Sequence, residues 1–264
     1  MTDTEVNPLR RKLEAGGAIV GTIVSMASPP MVQTLAGCGL DWLILDMEHG
    51  AISIESAQAM IAATAVSDCV PLVRVAWNVP WLVKPVLDAG ALGVVFPMIR
   101  NAGEAAAAVA ACRYPPAGER GWGPFFAPSR WGLDAMTYTA QADRAVMRIL
   151  LIEHVDAVRD IDAILAVEGI DAAVIAPYDL STSLERPGDF EAASFKEAVA
   201  TAERAIRASG VVLGGLAPTA ERANALLDRG YRMIILGYDV LLLENALRGM
   251  LGALNRPAPG APSR

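Results

Sequence analysis

Four short stretches of this 264-residue chain carry side chains able to do acid–base or cation chemistry, and each meets an apolar run. Asp46-Met47-Glu48-His49 follows Trp42-Leu43-Ile44-Leu45, and Arg74 stands inside Leu72-Val73-Arg74-Val75. Glu153 closes Ile149-Leu150-Leu151-Ile152, and Pro177-Tyr178-Asp179 follows Ala172-Ala173-Val174-Ile175-Ala176. Two carboxylates completed by water and substrate oxygens make the hard oxygen set that Mg2+ or Mn2+ prefers, with Co2+ the next candidate. No Cys/His cluster offers zinc its softer ligands. A divalent ion chelated by a 2-oxo acid polarises the ketone and stabilises an enolate. Arg74 can place a second positive charge on that enolate oxygen, and His49 can move a proton near neutral pH. Such chemistry would act on a small 2-oxo acid.

Each residue also has a plainer reading. Glu153 and Asp179 can cap the helices that follow them. His49 is one of two histidines, and a lone histidine is commonly a satisfied structural residue. His154 reads as an exposed first-turn helix residue. Arg74 is harder to dismiss, because a charge inside a core-like run needs a partner. Their collection at strand ends favours a site. Lysine chemistry does not compete: Lys12 lies in the polar N-terminal stretch, Lys84 and Lys196 lie in helical patterns, and a Schiff base needs a desolvated lysine in the pocket.

These stretches belong to a repeating pattern of short β-branched runs, each followed by a longer Ala-rich helical pattern. Strands are expected over 18–24, 42–48, 71–76, 94–98, 146–153, 172–176, 211–216 and 233–236. Helices are expected over 30–37, 54–66, 79–89, 102–111, 155–167, 190–208, 219–229 and 240–254, with Gly37, Gly90, Gly210 and Gly230 as C-caps. Eight units predict an α/β single domain, a closed (β/α)8 TIM barrel, over residues 1–256, with a flexible Pro/Gly-rich tail over 257–264. No G-x-G-x-x-G follows the first strand, which disfavours a dinucleotide fold. In such barrels the working residues lie at the C-terminal strand ends. Residues 113–144 form an insertion rich in Pro, Gly and aromatics, and a loop of that length in a compact barrel is usually functional.

The length suits one large domain, and 53% apolar residues with mean hydropathy +0.37 suit strands buried on both faces. Only 19% of residues are charged, a hint of surface buried in a homo-oligomer. The net charge of −7 argues against nucleic-acid binding and against docking on an anionic membrane. Cys38, Cys69 and Cys112 form no C-x-x-C pair and predict no disulfide framework. The polar first 17 residues lack a signal-peptide core, and no apolar run is long enough to span a bilayer. A cytoplasmic location is therefore expected.

The stretch Asp41-Trp42-Leu43-Ile44-Leu45-Asp46-Met47-Glu48-His49 resembles the DW-hydrophobic-D-x-EH segment of the HpcH/HpaI aldolases. The resemblance continues through Val73–Asn78, Lys84–Gly90, the YPP-x-G-x-RG stretch Tyr114–Gly121, Ile152-Glu153, and Ala176–Ser181. It implies a class II pyruvate aldolase that cleaves or forms 4-hydroxy-2-oxo acids with a pyruvate or hydroxypyruvate donor. It also implies roles. Glu153 and Asp179 bind the divalent metal. The backbone N–H groups of Tyr178 and Asp179 hold the substrate carboxylate, Arg74 binds the keto oxygen, and Leu216 lines the substrate site. His49, oriented by Asp88, is the acid/base pair, with Asp88 acting across a subunit boundary. Glu48 hydrogen-bonds the metal's waters, and Asp46 orients the pocket. A hexamer with the C-terminal helix exchanged between neighbours is the family's usual assembly. This chain departs from the pattern at Met47, Leu151 and Ile23. Two rival readings remain: a citryl- or malyl-CoA-type lyase with the same metal–enolate chemistry, which needs a groove for coenzyme A that the sequence does not reveal, and a non-enzymatic ligand-binding barrel.

Overall fold

In the computed structural model, which describes residues 7–255, the eight strands close in sequence order into a parallel barrel. The strands are β1 (Ile19–Val24), β2 (Trp42–Asp46), β3 (Val70–Arg74), β4 (Gly93–Phe96), β5 (Met147–Ile152), β6 (Ala172–Ile175), β7 (Val212–Leu216) and β8 (Met233–Tyr238). Most end one or two residues inside the expected limits, while β8 runs two residues further. The tail over 257–264 and the first six residues lie outside the described residues.

Side chains alternate in and out along each strand. Trp42 and Ile44, Val70 and Leu72, Met147, Ile149 and Leu151, and Met233 and Ile235 fill the barrel interior. Leu43 and Leu45, Val73, Leu150 and Ile152, and Ile234 face outward into the layer under the helices. Trp42 is fully buried and crowds β1. A Cβ on Gly21 would lie 2.1 Å from the Trp42 carbonyl oxygen and 2.3 Å from its ring, so only glycine fits there.

The helices in chain order are α1 (Pro8–Glu14), α2 (Pro29–Ala36), α3 (Ile54–Ala63), α4 (Pro80–Asp88), α5 (Ala102–Cys112), α6 (Ala127–Arg130) and α7 (Ala135–Ala145), followed by α8 (Val155–Arg159), α9 (Ile161–Leu165), α10 (Pro177–Ser183), α11 (Ala193–Ser209), α12 (Ala220–Asp228) and α13 (Asp239–Gly252). Four of these were not expected as separate helices: α1, α6, α7 and α10. The helix expected over 155–167 is two short helices, α8 and α9. α1 closes the N-terminal mouth of the barrel: Leu9 joins the interior cluster, and Asn7 donates to the Leu92 and Ala145 carbonyls. Gly90, Gly210 and Gly230 take positive φ at helix ends, and Gly37 is the C-cap of α2 as expected, although with φ −80°; the left-handed residue of that turn is Gly39. Leu40 and Asp41 separate Gly39 from β2, so the reversal falls between the helix end and the strand.

The insertion over 113–144 holds α6 and α7 and is not a bare loop. It also joins a helix to the next strand, so it lies at the N-terminal ends of the strands, away from the rim where Asp46 and Glu153 stand. The chain therefore cannot use it at its own rim. Among the described residues no helix is long and apolar enough to cross a membrane.

Candidate active site

The alternation that fills the barrel also aims the polar residues. Asp46 continues the inward series Trp42, Ile44; Arg74 continues Val70, Leu72; Glu153 continues Met147, Ile149, Leu151 one residue past β5. Asp46 and Arg74 are direct neighbours in register. Their side chains pair through both arms, Arg74 Nε to Asp46 Oδ1 at 2.8 Å and Nη2 to Oδ2 at 2.6 Å. Arg74 Nη1 lies 3.1 Å from Glu48 Oε2, so the partner that a buried arginine needs is a pair of carboxylates.

Asp46 also turns the chain. Its Oδ1 accepts from the Glu48 and His49 backbone N–H groups, ending β2 and lifting both residues onto the rim. Burial works to raise the Asp46 carboxyl, but Arg74 and these two N–H donors overcome it and hold it below the usual carboxylate range. Glu48 goes the other way: burial, against the attraction of Arg74, raises it. Among the described residues its buried Oε2 has the Arg74 ion pair but no hydrogen bond of good geometry.

Glu153 is 3% exposed. Burial pushes its carboxyl up to about 7, and the negative Asp179 and Glu48 add to the rise, while the Met98 N–H opposes it. That N–H donates to Glu153 Oε1 at 2.5 Å, from a residue with φ +56°. Sequence reasoning missed Met98, because the contact is made by the backbone and its type carries no signal. Glu153 is not a helix cap. The N-cap of α8 is His154, whose Nδ1 accepts from Asp156 N at 3.1 Å; it is thus a capping residue and not an exposed first-turn one.

Asp179 stands in the first turn of α10, past the N-cap position held by Ala176, so it too is no cap. Tyr178 and Asp179 lie where helix N–H groups have no acceptor in the helix. A small cavity of about 110 Å3 opens beside them, walled by Arg74, Asp179, Tyr178, Leu216, Leu151 and Ile23 among others. A larger groove of about 820 Å3 adjoins it, sharing Ile175, Pro177, Tyr178 and Leu216.

His49 is on the rim with 68% of its side chain exposed, and Glu48 Oε2 is 3.8 Å away. Asp88 is not near it. Asp88 ends α4, which runs back from the rim to the N-terminal face, and there its Oδ1 accepts from Arg120 Nη2 at 2.7 Å. Within one chain the structure thus gathers Asp46, Glu48, His49, Arg74, Glu153, Asp179, Tyr178 and Leu216, and leaves Asp88 on the opposite face.

Arg74 is engaged by Asp46 and Glu48, and among the described residues neither Glu153 nor Asp179 has an ion pair of its own; Asp179 lines the cavity, and buried Glu153 feels its charge. Among the described residues no three His, Cys, Asp or Glu side chains could hold an ion unaided. A hard divalent cation still fits this donor set if water and substrate oxygens complete its shell. It would relieve the negative excess that raises Glu153.

Residues 20–246 match the profile of the HpcH/HpaI aldolase/citrate lyase family. The chain belongs to that family. It is 34% identical to a hydroxypyruvate/pyruvate aldolase of Pseudomonas aeruginosa over 264 residues, covering 99% of this chain and 98% of that one. It is 36% identical to a 4-hydroxy-2-oxo-heptane-1,7-dioate aldolase of Salmonella heidelberg over 251 residues, covering 94% and 95%. The crystal structure of an HpcH/HpaI aldolase/citrate lyase family protein from Burkholderia cenocepacia superposes with TM-score 0.87 at 32% identity, covering 93% of this chain and 98% of that one. Family membership makes the chain an enzyme of the aldolase and lyase group, which removes the non-enzymatic barrel from the readings.

Proposed function

We propose that this protein is a class II aldolase that reversibly cleaves 4-hydroxy-2-oxo acids to a pyruvate-type 2-oxo acid and an aldehyde. The observation that carries the reading is the meeting of Asp179 and Arg74 at one small cavity on the strand C-terminal rim, with buried Glu153 close enough to feel the charge of both. Its volume equals roughly three or four waters in the liquid, suited to a short keto acid. The names of both relatives, a pyruvate-type aldolase and a 4-hydroxy-2-oxo acid aldolase, support the same substrate class.

Glu153 and Asp179 would hold Mg2+, Mn2+ or Co2+, which when bound supplies Lewis acidity to the substrate ketone. Arg74, fixed by Asp46 and Glu48, donates to the keto oxygen as it gains negative charge during cleavage. The Tyr178 and Asp179 N–H groups hold the substrate carboxylate. His49 takes the proton of the 4-hydroxyl. The C3–C4 electron pair then moves into the donor fragment, the aldehyde leaves, and a proton returned to C3 gives the 2-oxo acid. Asp88 of the partner subunit orients His49, because the chain's own Asp88 is on the far face.

An exchange of helices between copies would permit that last step. α13 buries only Asp239, and Leu243, Leu247, Met250 and Leu251 are exposed on it. We assign this helix to an exchange between copies of a homo-oligomer, a hexamer by family resemblance. One observation favours the citryl- or malyl-CoA-type lyase: the adjoining groove is largely apolar and carries Lys196, Arg222 and Arg229, the features coenzyme A needs and the sequence did not reveal. Turnover of an acyl-CoA thioester, with none of 4-hydroxy-2-oxo acids, would transfer the assignment to that reaction.

The test is pyruvate release from 4-hydroxy-2-oxo acids, coupled to lactate dehydrogenase, with EDTA and then added Mg2+ or Mn2+. Loss with EDTA, recovery with metal, and a fall of about 100-fold or more in Arg74→Ala are expected. Activity that survives EDTA would overturn the roles of Glu153 and Asp179.

A further inference from the structure

Asp88 is not simply a carboxylate at the end of a helix; it is mounted. The Arg120 side chain is fully buried, and among the described residues its side-chain acceptors are Asp88 Oδ1 at 2.7 Å and the Tyr138 hydroxyl at 3.2 Å. Its guanidinium lies over the Tyr114 ring at 4.5 Å and the Tyr138 ring at 5.7 Å. Tyr138 is itself anchored, with its hydroxyl bonded to the Leu87 carbonyl one residue before Asp88. Nε and Nη1 of Arg120 are buried with no hydrogen-bond partner among the described residues, so the fork is not there to satisfy a network of its own. A buried guanidinium with two idle edges is costly, and cation–π contact with two rings offsets part of that.

The effect falls on Asp88. Arg120 takes Oδ1 and leaves Oδ2 without a partner among the described residues, while the Asp88 side chain keeps 15% of its surface open. On the rim, His49 is 68% exposed. One oxygen is clamped and one is presented, which is how a carboxylate that must orient an imidazole is held. This gives the insertion a purpose on a face where it cannot reach its own chain's rim.

We propose that Arg120, braced by Tyr114 and Tyr138, is a positioning residue for catalysis. It fixes Asp88 so that Oδ2 meets His49 of a neighbouring copy, and it moderates the charge His49 feels. The inference rests on the reading above in which Asp88 and His49 form an acid/base pair across subunits. The groups facing Asp88 are Arg120 and, through the two rings, Tyr114, Tyr138 and Asp143, with Lys84 one turn earlier on α4. Those facing His49 within its chain are Glu48, Asp46 and Arg74.

The experiment compares Arg120→Gln, Arg120→Lys, Tyr138→Phe, Asp88→Asn and His49→Ala as assembled, metal-saturated enzymes, with native mass checked for each. Loss of such a support costs about 10–100-fold. That loss is expected in kcat for Arg120→Gln, with KM for the 4-hydroxy-2-oxo acid changed less than about twofold, since Arg120 does not touch that substrate. Arg120→Lys should recover part of kcat, and Tyr138→Phe should lose less than Arg120→Gln. The acidic limb of the kcat–pH profile should move to higher pH in Arg120→Gln, because an Asp88 freed of its cation stabilises the charged imidazole more. A merely structural role would leave that limb in place.

The inference is overturned if Asp88→Asn and His49→Ala lose activity while Arg120→Gln keeps wild-type kcat and pH profile. If Arg120→Gln does not assemble, wild-type behaviour of both Arg120→Lys and Tyr138→Phe overturns it equally. If Asp88→Asn and His49→Ala are both fully active, the acid/base reading itself fails, and the inference fails with it.

Discussion

Replacing Glu153 by glutamine should stabilise the metal-free protein at high pH and not at low pH. Glu153 is 3% exposed, and its carboxyl is raised from 4.5 to about 7, first by burial and then by Asp179 and Glu48. A carboxylate with a raised folded-state pKa holds its proton longer when folded than when unfolded. Stability therefore falls with pH wherever the unfolded chain has released that proton and the folded one has not. That window runs from 4.5 to about 7. At about 1.4 kcal/mol per pH unit, the wild type loses roughly 3.5 kcal/mol across it, and a neutral amide of the same shape loses none of this. Urea unfolding of both proteins in EDTA, at equal protein concentration, should show near-equal stability at pH 4.5 or below and a gap favouring Glu153→Gln at pH 8. Saturating Mn2+ should reverse the order, because a ligand that binds only the folded wild type stabilises it by mass action. Parallel pH dependences of the two proteins in EDTA would refute the reasoning, since Glu153 would then be ionised in the folded protein at little expense.

Two further outcomes follow from the ends of the chain. Asn7→Ala removes a fully buried side chain that donates to the Leu92 and Ala145 carbonyls and caps the Leu9 N–H. Two stranded carbonyls and a lost cap cost roughly 2–4 kcal/mol, so Tm should fall by about 5–10 °C; a fall under about 2 °C would show that the barrel floor relaxes around the loss. Leu247→Glu puts a charge into the apolar face of α13, where Leu243, Leu247 and Leu251 recur every four residues. Light scattering should then report a smaller assembly than the wild type's, and an unchanged mass would remove α13 from the interface.

The barrel was legible because periodicity is a local signal. Runs such as Met147–Ile152 alternate between two apolar environments, so all eight strands read as near-continuous hydrophobic segments. Counting by two from Trp42, Val70 and Met147 then leads to Asp46, Arg74 and Glu153, so the site's main charges were legible as well. What escaped was set by backbone or by distance in sequence. The left-handed Met98 aims an N–H, and an N–H has no letter in the sequence. Arg120 was visible in the motif Glu119-Arg120-Gly121, but its service to Asp88, 32 residues earlier, depends on how α7 packs on α4. The insertion was legible as a long loop of functional length, but its two helices and its packing were not.

The three departures from the family pattern separate once the barrel's alternation is known. Met47 follows inward-facing Asp46 and packs with the outer layer beneath the helices, so its size is absorbed there and not in the cavity. Leu151 and Ile23 face inward and wall the cavity with Ile44, Val174 and Ile235. A hydrocarbon wall offers a bound keto acid no hydrogen bonds, which leaves Arg74, Asp179 and the opening of α10 as the polar partners lining it. The apolar wall also lowers the local dielectric around Glu153, Asp179 and Arg74, and so strengthens each charge the reaction uses. The same dielectric keeps Glu153 near a neutral pKa in the bare protein. A site built this way binds its cation with release of a proton, and loses it as acid returns that proton.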